Sequence, residues 1–262
     1  MKKTLLMCVG VLFCLASVQG QTREFKTKLA NSKDKKVVME MAAADVKIEG
    51  GASDDLVIQA SSGFEAPPER AKGLKPLYYT GVDNTGIGLS VTSEGNVVKI
   101  EKVTRKEVKY TIRIPKQAGV LFQETNWQGG SKLVVNNMSG DLEIRTNGAN
   151  INLNNVTGPV VANSTSGNVN VVFSNLSQSK PTAISSISGE IDVSLPATAK
   201  SDMKLRSING EMYTDFELGV KSSKEGLSRV GGGGNIEGST NGGGVELQLN
   251  TISSNIYIRK QK

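Results

Sequence analysis

The sequence contains no histidine, and both of its cysteines, Cys8 and Cys14, lie in the first twenty residues. The rest of the chain therefore lacks the base of a Ser-His or Cys-His nucleophile, and it lacks the ligands of most zinc sites. It also has no disulfide to stabilise it. Only metal-independent carboxylate chemistry remains open to an enzyme, and the predicted fold must be held by its core and its backbone hydrogen bonds.

Aromatic residues make up 5% of the chain, and beyond the N terminus no apolar run approaches the roughly 18 residues of a membrane span. Removing Lys2 and Lys3, which belong to a predicted leader, lowers the formal net charge from +6 to +4. The basic and acidic residues are interspersed, which does not indicate nucleic-acid binding. We therefore predict no nucleic-acid partner, no cofactor or metal, and no transmembrane segment in the mature chain.

Residues 1–20 have the pattern of a signal peptide. Met1-Lys2-Lys3 supplies the positive start, an apolar run follows, and Val18 and Gly20 occupy the positions that signal peptidase reads. Bulky Phe13 before Cys14 disfavours a lipid anchor at that cysteine. The sequence predicts a bacterial protein that is exported to the periplasm, the outer surface or the medium.

A short phrase recurs through the second half, with a turn pair followed by alternating apolar and polar residues. Its copies are Ser139–Ile144, Ser166–Val171, Ser188–Val193, Asn209–Thr214 and Ser253–Ile258. The glycine, or the residue in its place, recurs after 27, 22, 21 and 44 residues, the last being twice 22. Alternation at period two predicts strands with one apolar face, and a repeat of this length is typical of a solenoid. We predict an all-β fold, a β-helix or β-solenoid with coils of about 22 residues over 119–262.

The region 21–118 is also rich in predicted strands, but its repeats are looser. Alternating segments lie at 36–41, 44–50, 55–60, 96–102 and 107–115. Residues 61–92 interrupt the pattern and are predicted to protrude as an excursion. Near the other end, the glycines of 231–244 predict a flexible Gly-rich loop.

These segments, in this order, resemble a family of bacterial cell-envelope proteins that are catalogued as putative adhesins and classed as a domain of unknown function. The segments that carry the resemblance are Val46–Gly50, Tyr110–Lys116, the recurrent Ser-Gly strands and Val245–Thr251. The final Ser-Gly of the family is replaced here by Ser253-Ser254. The resemblance covers nearly all of the mature chain and implies an exported β-helical fold; it supplies no catalytic residues.

Stacked coils would align the outward residues of the repeats in ladders about 4.8 Å apart. One predicted ladder holds Asp141, Asn168, Glu190, Glu211 and Asn255, and a second holds Glu143, Asn170, Asp192, Tyr213 and Tyr257. Three aromatic residues of the excursion, Phe64, Tyr78 and Tyr79, form a second candidate contact surface, or else they cover an end of the solenoid. The candidate binding residues are therefore Phe64, Tyr78, Tyr79, Asp141, Glu190, Asp192 and Glu211.

The residues favour a non-catalytic, adhesin-like binding or scaffold module, with an envelope or host protein or glycan as its partner. Two alternatives stay open. If Glu190 and Glu211 lay on neighbouring coils, they would approach the separation of about 5 Å that retaining glycosidases use, and the protein would be a polysaccharide-active β-helix enzyme. The protein could instead be an envelope-sensing or structural component that binds another envelope protein. Within either reading, Asp141, Glu190 and Asp192 could gather calcium, or the acidic ladder could be an ordinary solvated face.

Overall fold

The computed structural model describes residues 23–29, 34–61, 68–74, 81–126, 130–220 and 234–261. The predicted signal peptide, residues 1–20, lies outside these residues. The described chain is built of strands, and its one helical element is the 3₁₀ turn Glu69–Ala71. No helix of the described part is long and apolar enough to cross a membrane.

In the described residues, seven strands precede residue 118. They are Arg23–Lys28 (β1), Lys36–Met41 (β2), Ala44–Gly51 (β3), Asp55–Ala60 (β4), Leu89–Glu94 (β5), Val97–Lys102 (β6) and Val108–Pro115 (β7). Five of them, β2, β3, β4, β6 and β7, lie within one residue of the strands that alternation predicts, so the strand prediction for this region is confirmed.

Fourteen strands follow in the described residues. The first eight are Gly119–Glu124 (β8), Lys132–Asn136 (β9), Leu142–Thr146 (β10), Asn150–Val156 (β11), Val160–Ser164 (β12), Val169–Phe173 (β13), Thr182–Ser186 (β14) and Ile191–Leu195 (β15). The last six are Ser201–Ser207 (β16), Met212–Thr214 (β17), Gly219–Val220 (β18), Gly234–Thr240 (β19), Val245–Thr251 (β20) and Ile256–Lys260 (β21). Every copy of the recurrent phrase leads into one of these strands.

The strands form two sheets, and each coil contributes one strand to each sheet. Sheet 1 has the order β1-β4-β7-β3-β9-β11-β13-β15-β21-β17, and sheet 2 has the order β18-β19-β16-β20-β14-β12-β10-β8-β2-β6-β5. Neighbouring strands are parallel except at the two ends, where β1, β4, β5, β18 and β19 pair antiparallel. The predicted β-solenoid is confirmed, and both sheets continue across residues 118 and 119, since β8 pairs with β2 on one side and with β10 on the other.

The core lies between the two sheets and follows from the period-two alternation. On β10, β13 and β15 every second residue points inward, and the pairs Leu142 and Ile144, Val169 and Val171, and Ile191 and Val193 are all at most 1% exposed. The alternate residues face solvent. One strand alone has no partner for its apolar face, so the stacked coils bury these faces against each other in a continuous core.

The coils do not all have the predicted length. Leu142 pairs with Val160, eighteen residues further on, whereas Val161 pairs with Ala183 after twenty-two residues. The spacing of 27 between the first two phrases therefore spans one and a half coils. For this reason the phrase that contains Asp141 begins a strand of sheet 2, whereas the other four phrases begin strands of sheet 1.

The order of the coils in space differs from their order in sequence at both ends. Coil β20–β21, the last in sequence, lies between coil β14–β15 and coil β16–β17. At the other end, coil β2–β3, the first in sequence, lies between coil β6–β7 and coil β8–β9. The separation of 44 residues between the last two phrases therefore joins direct neighbours, because Met212 pairs with Ile256.

Two predictions about loops need correction. Residues 234–240 form β19 and pair antiparallel with β16, so this part of the predicted Gly-rich loop is a strand. Asn241, Gly242 and Gly243 follow in a turn with φ of 50°, 87° and 85°, which glycine adopts without steric cost. In the predicted excursion, residues 89–94 form β5, and Ile87 and Leu89 are buried, so 87–92 belongs to the core and does not protrude.

Candidate functional site

The outer face of sheet 1 carries the first polar ladder. At the start of its strands, Asn168 donates its backbone N–H to Oδ1 of Asn150 at 2.9 Å, and Glu190 donates its N–H to Oδ1 of Asn168 at 3.0 Å. Two coils further on, the N–H of Glu211 donates to Oδ1 of Asn255 at 2.8 Å. The asparagines therefore satisfy the first backbone donor of the next coil, which is a structural role for this part of the ladder.

This geometry removes the predicted pairing of catalytic carboxylates. Because β21 lies between β15 and β17, Asn255 separates Glu190 from Glu211, and their backbones are roughly 10 Å apart instead of about 5 Å. Asp141 lies on the other sheet and does not join Glu190 and Asp192. Among the described residues, no three acidic side chains come together as a metal site would require.

The second ladder ends in a stack of planar groups. Asp192, Tyr257 and Tyr213 are neighbours in register on β15, β21 and β17. The two tyrosine rings are stacked with centroids 5.4 Å apart and planes inclined by 8°. The guanidinium of Arg259 lies 5.3 Å from the centroid of the Tyr257 ring. Such cation–π and ring contacts orient side chains that would otherwise be mobile on a sheet surface.

Asp192 fixes the guanidinium of this stack. Arg259 donates Nε to Oδ1 and Oδ2 of Asp192 at 3.0 and 3.1 Å, and it donates Nη2 to Oδ2 at 2.8 Å. The hydrogen bonds and the charge of Asp192 raise the pKa of Arg259 above its ordinary value. The Asp192 carboxylate is therefore held in a bidentate ion pair with Arg259.

The other end of the stack is Tyr213, on the last strand of sheet 1. Its hydroxyl donates a hydrogen bond to Oε2 of Glu211, and this bond together with the negative charge raises the pKa of Tyr213. The side chain is 48% exposed, and no described strand lies beyond β17 in the sheet. We call Asp192, Glu211, Tyr213, Tyr257 and Arg259 the stack surface.

Asp141 lies in a separate groove on sheet 2. The groove has a volume of about 670 Å³ and runs across the starts of β2, β8, β10 and β12. Oδ2 of Asp141 pairs with Nζ of Lys180 at 2.6 Å, and this carboxylate raises the pKa of Lys180. Lysine, carboxylate, proline and valine side chains all line the groove, so no single ligand chemistry is favoured there.

The aromatic candidates Phe64, Tyr78 and Tyr79 lie outside the described residues. The described part of the former excursion is an ordered turn, in which the carboxylate of Asp83 accepts hydrogen bonds from the backbone N–H groups of Thr85, Gly86 and Gly88 at 2.8 to 3.0 Å. This turn places Ile87, whose carbonyl accepts a hydrogen bond from the buried hydroxyl of Tyr110.

A comparison with models of protein families finds a match in the second half of the chain. Residues 136–259 match the model of the Toastrack family, DUF4097. We call residues 136–259 the Toastrack region, after the family whose model they match. The stack surface and the groove around Asp141 both use residues of this Toastrack region. A search of curated proteins finds no match.

Three solved structures are similar to this chain at low identity. A putative cell adhesion protein from Clostridium sporogenes is 12% identical, with 92% of this chain and 100% of that chain covered and a TM-score of 0.47. A putative adhesin from Bacteroides fragilis is 12% identical, with coverage of 92% and 98% and a TM-score of 0.33. A putative lipid binding protein from Parabacteroides distasonis is 14% identical, with coverage of 93% and 98% and a TM-score of 0.23. These likenesses are too weak to assign an activity to this chain.

Two buried charged residues lie before the Toastrack region, and sequence reasoning missed both. Lys102 is 5% exposed and donates Nζ to the carbonyls of Ala42 and Ala43 at 2.6 and 2.9 Å. Burial lowers the pKa of Lys102 to about 8, against a smaller opposite effect of Glu107. The sequence alternation could have predicted that Lys102 is buried, because Val98, Ile100 and Lys102 are alternate residues on the buried face of one strand.

Glu124 is the second buried charge and holds a corner of the solenoid. Its Oε2 accepts hydrogen bonds from three consecutive backbone N–H groups, those of Asn147, Gly148 and Ala149, at 2.7, 2.9 and 3.1 Å. Like Lys102 it ends an inward series, here after Val120 and Phe122. The carboxylate links β8 to the turn between β10 and β11, which indicates a structural role.

Proposed function

We propose that this protein is a non-catalytic, adhesin-like binding module of the bacterial cell envelope, exported through the signal peptide at residues 1–20. Its contact surface is the stack surface. The observation that carries the proposal is the row Arg259, Tyr257 and Tyr213, because stacked planar groups on a rigid sheet give a large contact area at little cost in conformational entropy.

The geometry of the carboxylates supports binding over catalysis. A retaining glycosidase needs two carboxyl groups about 5 Å apart, and Asn255 separates Glu190 from Glu211. Asp192 is held in a bidentate ion pair with Arg259. The stack surface itself lies on an exposed sheet face and not in a cleft that could exclude water.

A direct test measures binding and cleavage together. The mature chain, residues 21–262, is screened against purified envelope and host polysaccharides and against intact bacterial cells, and the release of reducing ends is recorded in the same samples. We expect binding without release, and we expect Tyr213→Ala to weaken it at least tenfold. The matched control is Glu143→Ala, which removes an exposed side chain from sheet 2.

Two results would contradict the proposal. Release of reducing ends that disappears in the double variant Glu190→Gln and Glu211→Gln would show an enzyme. Binding that Tyr213→Ala leaves unchanged, while the variant keeps its β-sheet circular dichroism, would remove the stack surface from the function.

A further inference from the structure

We infer that the open edge of β17 binds an extended basic segment of a partner protein, with an arginine of that segment stacked on Tyr213 and paired with Glu211. The inference rests on the proposed function, since it assigns a partner chemistry to the stack surface. The inference goes beyond the proposed function because it names the group that would extend the stack, and it gives the backbone register in which the partner strand would pair with β17.

The chain contains its own example of the contact. On one side of the aromatic pair, the guanidinium of Arg259 lies over Tyr257 while it forms a bidentate pair with Asp192. On the other side, Tyr213 has a neighbouring carboxylate, Glu211, but no cation lies over its ring among the described residues. At the inner end of the stack, a ring and a carboxylate hold a guanidinium between them. The outer end has an equivalent ring, Tyr213, and an equivalent carboxylate, Glu211, but no described guanidinium.

The spacing of the sheet fits an added strand. Neighbouring strands lie about 4.8 Å apart, and the two stacked rings are 5.4 Å apart at their centroids. A strand that pairs with the outer edge of β17 would therefore bring its outward side chain to stacking distance from Tyr213. Addition of an extended segment to an exposed sheet edge is a known mode of peptide recognition, in which main-chain hydrogen bonds give affinity and side chains give specificity.

The first ladder predicts the register of that strand. At three of the four steps from Asn150 to Glu211, a side-chain oxygen of one coil accepts the backbone N–H of the equivalent residue in the next coil, as Asn255 does for Glu211. In β21 and β17 the stacked tyrosine follows this ladder residue by two positions. We therefore expect a parallel segment whose N–H meets the Glu211 carboxylate and whose arginine stands two residues later.

The charge at this end of sheet 1 favours a cation over an anion. Glu211, Asp215 and Glu217 are all exposed around β17. Two basic side chains of the described residues near β17 are already engaged, since Arg259 pairs with Asp192 and Lys260 lies over the ring of Phe216 at 5.3 Å. An arginine satisfies the free ring face and the carboxylate at once, because its guanidinium is planar and donates hydrogen bonds in its own plane.

The experiment uses a peptide that copies strand β13 of the chain and the turn before it. The probe has the sequence of residues 166–173 with arginine in place of Asn170, and its ends are acetylated and amidated so that they add no charge. The control peptide carries citrulline, which has the same shape without the charge. Binding to the mature chain is followed by NMR, through the ring resonances of Tyr213 and the amides of β17.

We expect the arginine peptide to shift these resonances and to bind about tenfold more tightly than the citrulline peptide. Tyr213→Leu and Glu211→Gln should each remove most of this difference, whereas Glu143→Gln on sheet 2 should leave it unchanged. The variants are first compared with the wild type by circular dichroism, so that a loss of fold is recognised.

Equal binding of the two peptides would overturn the inference, as would a Tyr213 ring that is already screened from a soluble quencher in the free chain. If polysaccharide or cell binding still depends on Tyr213 while neither peptide binds, the inference fails and the proposed function stands. If Tyr213→Leu changes neither kind of binding, both fail.

Discussion

At the scale of single residues, the carboxylate of Glu211 stabilises the protonated hydroxyl of Tyr213. The phenol donates to the carboxylate, so loss of its proton would place two negative charges side by side, which raises the pKa of Tyr213. At neutral pH the pair therefore presents a neutral ring beside a full negative charge. That combination suits a cationic partner.

This coupling gives the first prediction. Replacing Glu211 with glutamine removes the charge and should lower the pKa of Tyr213 toward that of a free tyrosine, because the acceptor that stabilises the neutral phenol is weakened. A spectroscopic pH titration of the tyrosines, with Tyr213→Phe to identify the signal, measures the shift. An unchanged titration curve would show that the two groups do not interact.

Lys102 gives a second prediction, in which pH changes stability. The folded-state pKa is about 8, below the value of about 10.4 of a free lysine, so the unfolded chain binds more protons between these two pH values. Stability attributable to Lys102 should therefore rise as the pH increases through this window, and the full cost of the buried charge is present below about pH 8. The gain is about 3 kcal/mol, from about 1.4 kcal/mol for each pKa unit.

The measurement is urea unfolding of the wild type and of Lys102→Met at neutral pH and near pH 10.5. The difference in the free energy of unfolding between the two proteins removes the contribution of all other titrating groups. A difference that is independent of pH would place the pKa of Lys102 at its ordinary value.

At the scale of elements, the corners of the solenoid set the closest approach between coils. A Cβ on Gly167 would lie 2.0 Å from the carbonyl oxygen of Ala149 in the preceding coil. The atoms that a Cβ at Gly167 would meet belong to the backbone of Ala149, which cannot move aside as a flexible side chain can. A side chain at Gly167 would therefore force the two coils apart. The glycine is required for this contact and not for an unusual φ.

The third prediction compares two glycine substitutions. Gly167→Ala should destabilise the protein by about 3 kcal/mol or more, because neither coil can yield without loss of ladder hydrogen bonds. Gly51→Ala is the matched control, since a Cβ at Gly51 has its nearest neighbour at 3.8 Å, and it should cost less than about 1 kcal/mol. Denaturant titrations measure both. Equal costs would show that the corner can relax.

The position of β21 gives the fourth prediction. This strand is the last in sequence but lies between β15 and β17, so a chain that ends at Asn255 loses an interior strand of sheet 1. We expect that truncation to unfold the Toastrack region. Deletion of β1, an edge strand that pairs only with β4, should leave it folded. Limited proteolysis of the two truncated chains distinguishes them, and a protease-resistant Toastrack region in the chain without β21 would contradict the expected order.

At the scale of the whole molecule, alternation along the sequence predicts the strands and the two-faced sheets, because burial of one face is a local property of each strand. The order of the coils is not local. Nothing in residues 209–214 or 253–258 states which phrase lies nearer the middle, and the two coils are interchangeable in pattern. The order is visible only in the pairing partners, since β20 pairs with β14 and β16, whereas β16 pairs with β20 and the antiparallel strand β19.

The candidate site was predictable in part for the same reason. The sequence identifies Asp192, Glu211, Tyr213 and Tyr257 as outward ladder residues, and their registers are confirmed within sheet 1. Arg259 was missed, because it joins the stack through Asp192 from a strand that is sixty-seven residues away in sequence. Asp141 was placed with the others because a spacing of 27 was treated as one coil.

The inverted order of the end coils determines how the molecule would respond to a pulling force applied at its two termini. In a solenoid whose coils follow the sequence, tension on a terminus peels off one coil after another, each held on one side only. Here the C-terminal strand has to be drawn out from between β15 and β17, so two ladders must rupture together. The N-terminal coil is clamped in the same way between β6–β7 and β8–β9. Once the edge strand β1 has been released, optical-tweezers extension from the two termini should therefore show one large rupture and not a series of small steps.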